Sequence, residues 1–294
     1  MAAEVSEQYK PPASKLLRRF ARDFVVRVFA FQPLTARRWL MSRFQRPLLK
    51  LLFSLNKDTI TISPAGLPSH RFRMWLNWQG NLAFALGLYE PEATRSIRQM
   101  VKAGNCCLDV GANLGYYTIS MAKWVGSCGL VVAFEPFPTN FETLERNVHL
   151  NGLKNVILAP TALSNRNGVL RLIYSVNDHF SATPSAKGYA VDENQDSIQV
   201  PTRRLDDYVA ELGRIPTLIK IDVEGAELSV LEGAQNTLAS VRPILLVEVH
   251  DWGTNEAAKV LQFLSEFQYE TRTVGQKGHE KVLLCTPIER TAFS

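Results

Sequence analysis

Five short apolar runs constrain this chain most: NCCLDV (105–110), GLVVAFEP (129–136), VILAPTALS (156–164), LIKIDVEG (218–225) and ILLVEVH (244–250). Stretches with helical periodicity occupy 114–125, 138–150, 226–241 and 254–267 between and after them. Strands that are apolar on both faces must be covered on both faces, and parallel strands need long crossovers, usually helices. The pattern therefore predicts an α/β domain with a mostly parallel sheet between helices. Two last runs, YETRTV and KVLLCTP, complete the sheet. In such sheets ligands bind beyond the carboxyl ends of the strands.

The net charge of +5 is unevenly placed. Residues 1–50 hold 11 Lys+Arg against 3 Asp+Glu, and the rest of the chain is slightly acidic. Within that segment KLLRRFARDF (15–24) puts Lys15, Arg18, Arg19 and Arg22 on one side of a helix and Leu16, Leu17, Phe20 and Phe24 on the other. The boundaries follow: a basic helical arm over 1–57, an entry region of short strands and a helix over 58–104, and the main domain over 105–290. The plain reading of the arm is a helix packed on the domain. The functional reading is peripheral contact with an anionic membrane through residues 15–31. No run reaches the roughly 18–20 apolar residues of a membrane span, and acidic residues come first where a signal peptide would be basic. The four cysteines lack metal-ligand spacing, which suits a reducing, cytoplasmic setting. Residues 165–204 interrupt the alternation with two β-like runs and a polar loop. An insertion of that length is either a surface excursion or a wall of the site.

DVGANLG (109–115) lies between a strand and a helix. Gly111 and Gly115 allow a tight turn and a close approach of backbone to ligand. The spacing G-x-N-x-G departs from the G-x-G-x-x-G of dinucleotide binding. A fixed carboxylate, Asp109, precedes it, which suits a ligand carrying an ammonium and a sulfonium better than a pyrophosphate. Glu135 ends the second strand, where an acid can accept hydrogen bonds from both ribose hydroxyls. Asp109, Gly111, Gly115 and Glu135 together favour S-adenosylmethionine over NAD.

The chain from about 89 to 250 resembles the FkbM family of S-adenosylmethionine-dependent methyltransferases. The resemblance is carried by YEPE (89–92), LDVGANLGYYT (108–118), FEP (134–136), NVHLNG (147–152), ALSN (162–165), TRRLDDYV (202–209), KIDVEGAE (220–227) and EVH (248–250). It implies a class I methyltransferase fold: a Rossmann-like sheet, mostly parallel with an antiparallel last strand and helices on both faces. It also implies O-methylation of a hydroxyl on a sugar, glycolipid or secondary metabolite. Asn113 and Ala162 join the cofactor-binding candidates on the same ground. The arm lies outside the resemblance.

Lys220, Asp222 and Glu224 alternate with apolar residues in what reads as a buried strand, so the three share one face. Glu248 and His250 share a face of the next strand, which this fold sets beside it. Such charges are costly to bury unless they pair or do chemistry. In one reading Asp222 or His250 is a general base and Lys220 steadies the developing alkoxide. In a second, less favoured, Asp222, Glu224, Glu248 and His250 hold a divalent metal. In a third the charges only pair with one another and with a helix N-terminus. His179, in the insertion, is a further base candidate. DVEG stands where nucleic-acid N-methylation would need an [N/D/S]-P-P-[Y/F] turn, so a nucleic-acid acceptor is disfavoured. The reading is thus an S-adenosylmethionine-dependent O-methyltransferase of small-molecule, glycan or glycolipid acceptors. Its rivals are an NAD-dependent oxidoreductase and a non-catalytic membrane-docked interaction protein.

Overall fold

The structure, a computed structural model, describes residues 59–62, 64, 71–75, 84, 88–175, 178–184, 196–251 and 255–289. The expected arm over 1–57 lies outside the described residues. The chain divides into two compact units, one of Met1–Arg71 with Trp75–Tyr89, the other of Phe72–Met74 with Glu90–Ser294. In the first, β1 (Thr59–Ile62) is a short strand, and the rings of Phe84 and Tyr89 stack with centroids 4.0 Å apart. Of strand β2 (Phe72–Trp75), Phe72–Met74 belong to the second unit.

The long segment of the second unit opens with α1 (Pro91–Met100), with Pro at its first turn, where a missing N–H costs nothing. The order is then β3 (Cys106–Val110), α2 (Tyr116–Val125), β4 (Leu130–Phe134), α3 (Pro138–Leu150), β5 (Val156–Ala159) and β6 (Ala162–Leu163). It continues with β7 (Gly168–Ser175), β8 (Asp178–Pro184), β9 (Ser197–Arg203), α4 (Leu205–Leu212) and β10 (Leu218–Ile221). Last come α5 (Glu227–Glu232), a π-helical turn (Thr237–Val241), β11 (Ile244–His250), α6 (Glu256–Glu266), β12 (Tyr269–Lys277) and β13 (Glu280–Pro287). Seven strands form one sheet in the order β12-β13-β11-β10-β3-β4-β5. Strands β5, β4, β3, β10 and β11 are parallel, and β13 runs antiparallel to β11. This is the class I methyltransferase arrangement, with helices on both faces. Among the described residues no helix is long and apolar enough to cross a membrane.

The sheet's two faces differ in kind. Leu108, Val110, Phe134, Ile219, Ile221, Val247 and Val249 point to one side, where they pack with residues of α4, α5 and α6 in the main core. Strand alternation sends Asp109, Lys220, Glu248 and His250 to the other side, and all four are buried there. Lys220 and Asp109 are direct cross-strand partners.

Three expected elements come out differently. VILAPTALS is not one strand: β5 stops at Ala159, and β6 belongs to a separate four-stranded sheet, β6-β9-β7-β8. Pro160 cannot donate a ladder hydrogen bond, and the Thr161 N–H turns back onto the Ala159 carbonyl at 2.9 Å. The insertion is therefore built around that second sheet, with Ala162, Leu172 and Val200 as a small core of their own. The helix read over 226–241 breaks after Glu232 at Gly233, whose carbonyl accepts from the Asp206 N–H. Strand β10 ends at Ile221, so Asp222 and Glu224 leave the sheet in a turn rather than extending its face.

Asp206 holds that break together. Its carboxylate accepts from the Asn236 N–H at 3.0 Å, and from the Thr237 N–H and hydroxyl, each at 2.8 Å. Buried donors left without an acceptor are expensive. Asp206→Ala is expected to lower unfolding free energy in urea by about 2–3 kcal/mol. Asp207→Ala, on the exposed side of the same turn, should cost under about 1 kcal/mol.

Candidate active site

The carboxyl ends of β3, β4 and β10 meet around one cavity. Its walls include Gly111, Asn113, Glu135 and Ala162, with Asp222 and Glu224 on the β10 side and Leu163, Leu170 and Leu172 from the second sheet. Four of the six residues expected to bind a cofactor thus share it. Asp109 and Gly115 do not line it.

The turn after β3 is fixed by what surrounds it. The Gly111 and Ala112 N–H groups both donate to the Phe134 carbonyl, at 3.0 and 2.9 Å. The Asn113 N–H donates to Glu135 Oε2 at 2.7 Å, while Glu135 Oε1 accepts from the Phe137 N–H at 2.9 Å. Glu135 therefore latches the turn to the end of β4. The glycines serve packing rather than ligand approach alone. A Cβ on Gly111 would lie 1.8 Å from the Asp222 carbonyl oxygen, and one on Gly115 would lie 2.7 Å from Leu144 Cδ1. Asp109 is fully buried beneath the turn. Its Oδ2 accepts from the Thr118 hydroxyl, and its Oδ1 has no hydrogen bond and lies 3.8 Å from Lys220 Nζ. Asp109, expected to face a ligand's ammonium, lies beneath the turn and does not line the cavity. Burial raises its pKa, against the pull of Lys220 and Thr118.

The charged residues converge although only Lys220 among the three shares the strand. Lys220 Nζ donates to Asp222 Oδ2 at 2.9 Å and lies 5.0 Å from the centroid of the Tyr117 ring. The turn after β10 brings Glu224 back by a left-handed φ of 52°, followed by Gly225 at 97°. His250 Nε2 then lies 3.6 Å from Glu224 Oε2 and 3.9 Å from Asp222 Oδ1. On its other side His250 Nδ1 meets Glu227 Oε1 at 3.0 Å, and that oxygen also accepts from the Gly225 N–H. Glu227 is fully buried, and its role as a clamp on His250 had no local signal beyond the KIDVEGAE run. One ligand atom each from Asp222, Glu224 and His250 lies within 4.8 Å of the others. Glu248, expected in that set, is buried but outside it. His179 lies on β8.

Electrostatics sorts these groups. Burial alone would lower the Lys220 pKa, but Asp222, Asp109 and Glu90 outweigh it and hold the ammonium charged. Burial would likewise lower His250, yet its hydrogen bond to Glu227 with the charges of Asp222, Glu227 and Glu224 raises it to about 10. That hydrogen bond and those charges favour the imidazolium over the neutral ring. Burial and then Asp222 raise Glu224 to about 7, and burial and then Asp222 raise Glu248 to about 9.

The model for the methyltransferase FkbM domain matches residues 109–271. Methyltransferase 1 of Beauveria bassiana is 28% identical over 160 residues, covering 49% of this chain and 64% of that protein. Hexuronic acid methyltransferase AglP of Haloferax volcanii is 29% identical over 185 residues, covering 62% of this chain and 70% of that one. Among solved structures, methyltransferase FkbM of Methylobacillus flagellatus aligns with a TM-score of 0.45 and 14% identity, covering 93% of this chain and 60% of that one.

Gly111→Ala must push the Asp222 carbonyl away, so it is expected to cost more than about 3 kcal/mol of stability. Gly104→Ala is the control, because its φ of 81° is almost the same and nothing lies within 4 Å of its added methyl. It should cost only the left-handed strain, about 1–2 kcal/mol. Burial also raises Glu135 to about 7, against the Phe137 and Asn113 N–H donors. The folded protein thus keeps a proton that the unfolded chain releases near its ordinary pKa of about 4.3. Its contribution to stability therefore falls as pH rises from there to about 7, then levels off. Glu135→Gln cannot ionise, so its melting temperature relative to wild type should climb by several degrees between pH 5 and pH 8.

Proposed function

The chain belongs to the FkbM methyltransferase family, and from that premise we propose that it methylates a hydroxyl of a sugar, glycolipid or secondary metabolite with S-adenosylmethionine. One observation carries this reading: a single cavity joins the turn after β3 and Glu135 to the Asp222–Glu224 side of the charged cluster. The donor set fits the cofactor. Glu135 offers carboxylate oxygens to ribose hydroxyls, Leu163, Leu170 and Leu172 offer an apolar wall to a base, and the surplus of carboxylates suits a sulfonium. Gly111, Asn113 and Ala162 would hold it from the remaining sides. When bound, S-adenosylmethionine supplies a methyl carbon made electrophilic by its sulfonium. The name of the Haloferax relative, a hexuronic acid methyltransferase, favours a sugar acceptor.

An aliphatic hydroxyl needs help to lose its proton. Asp222 lies between Lys220 at 2.9 Å and His250 at 3.9 Å and lines the cavity, so it orients the hydroxyl. Glu224 faces the cavity beside His250, and it takes the proton. Glu227 holds His250 in place, and its imidazolium steadies the carboxylates and the developing alkoxide. Much of the remaining work is alignment and exclusion of water. A divalent ion bound by Asp222, Glu224 and His250 is a second reading, favoured by the closeness of their ligand atoms.

Calorimetry with S-adenosylmethionine and with NAD tests the premise: saturable binding of the first and none of the second is expected. NAD binding alone would sink it. Incubation with labelled S-adenosylmethionine and extracts of the host should then yield a methyl ether. Asp222→Asn and Glu224→Gln should each lower turnover about 100-fold, a larger effect than on cofactor affinity. Dialysis against EDTA should leave turnover unchanged; its loss, restored by a divalent ion, would favour the second reading.

A further inference from the structure

Two side chains behind the charged cluster converge on Lys220 without lining the cavity. Glu90, just before α1, adopts φ 36° and ψ 57°, a left-handed conformation. Non-glycine residues seldom do so, and the residue before a proline is pushed towards extended backbone instead. Strain of this kind persists only where the surroundings hold it, and it concentrates at functional sites. Here the turn directs the Glu90 carboxylate onto Tyr117, whose hydroxyl donates to Glu90 Oε2 at 2.8 Å. The same hydroxyl accepts from the Thr94 hydroxyl at 3.4 Å. Tyr117 sits in the first turn of α2, directly after the cofactor turn, and is buried. Its ring lies 5.0 Å from Lys220 Nζ, which bonds Asp222 at 2.9 Å. A chain of contacts thus runs from Glu90 through Tyr117 and Lys220 to the carboxylate that faces the cavity.

We propose that Glu90 and Tyr117 are positioning residues for the reaction, setting the Lys220 ammonium and through it the Asp222 carboxylate. Glu90 is fixed by the rigid start of α1, and Tyr117 by α2. Between them they define where the ammonium can sit, as a side wall and a charged backstop. The proposal rests on the reading of Asp222 as a residue that contacts the acceptor.

Glu90→Asn tests it, because asparagine tolerates the left-handed conformation better than glutamate while losing the reach to Tyr117. Positioning predicts a fall in kcat of about ten-fold, with melting temperature and S-adenosylmethionine affinity unchanged or raised. Tyr117→Phe, which keeps the ring and drops the hydroxyl, should show the same split. Combined with Asp222→Asn, neither should lower kcat further, since residues acting as one unit are not additive. Unchanged kcat, losses that add to that of Asp222→Asn, or a kcat loss that only tracks lost stability would overturn the proposal. If Asp222→Asn itself leaves kcat intact, the reading beneath the proposal fails, and that outcome is distinct from the others. A readout without acceptor is the ¹³Cε–¹Hε resonance of Lys220, assigned with Lys220→Arg. It should move in Glu90→Asn and in Tyr117→Leu as the ring is displaced, and an unmoved resonance would count against positioning.

Discussion

The ammonium of Lys220, buried at the centre of the sheet, is the charge on which the rest of the site depends. It lies within 4 Å of two carboxylates, Asp109 and Asp222. Removing one partner of such a pair strands the other in a medium that solvates it poorly, at a cost of about 3–5 kcal/mol. The lysine therefore ties three elements: β3 through Asp109, β10 through its own backbone, and the turn after β10 through Asp222. The apolar face of the same strands packs the main core, so the sheet separates a dry stabilising side from a charged working side. His250 repeats the arrangement one strand further along, with Glu227 behind it and Asp222 and Glu224 in front.

Glu135 plays the matching role at the cofactor end. Both its oxygens are engaged by backbone N–H groups, one from the turn after β3 and one from the start of α3. A carboxylate so held is placed before any ligand arrives. Preorganisation of this kind avoids ordering costs at the moment of binding.

Much of this was legible in the sequence because it is written in short periods. The alternation of apolar runs and helices marked the five parallel strands, and DVGANLG with Glu135 marked where the cavity would lie. What escaped depends on backbone that leaves those periods. LIKIDVEG reads as one strand with three charges on a face, yet β10 ends at Ile221, and Glu224 returns only because it and Gly225 take positive φ. Asp109 was read as facing a ligand, but the direction of its side chain is decided by Thr118 and Lys220, nine residues away and across the sheet. The clamp of Glu227 on His250 and the reach of Glu90 to Tyr117 join residues 23 and 27 positions apart. No local pattern records such distances. VILAPTALS hid its break in plain view, because the single proline that ends β5 lies inside an otherwise apolar run.

The contact between Gly111 and Asp222 has a consequence for the shape of the site. The Asp222 carbonyl fills the space where a side chain on residue 111 would stand, and the Asp222 N–H bonds the Val110 carbonyl at 3.0 Å. The turn after β3 and the turn after β10 are therefore packed backbone against backbone. The backbone of one turn is thus part of the wall that shapes the other.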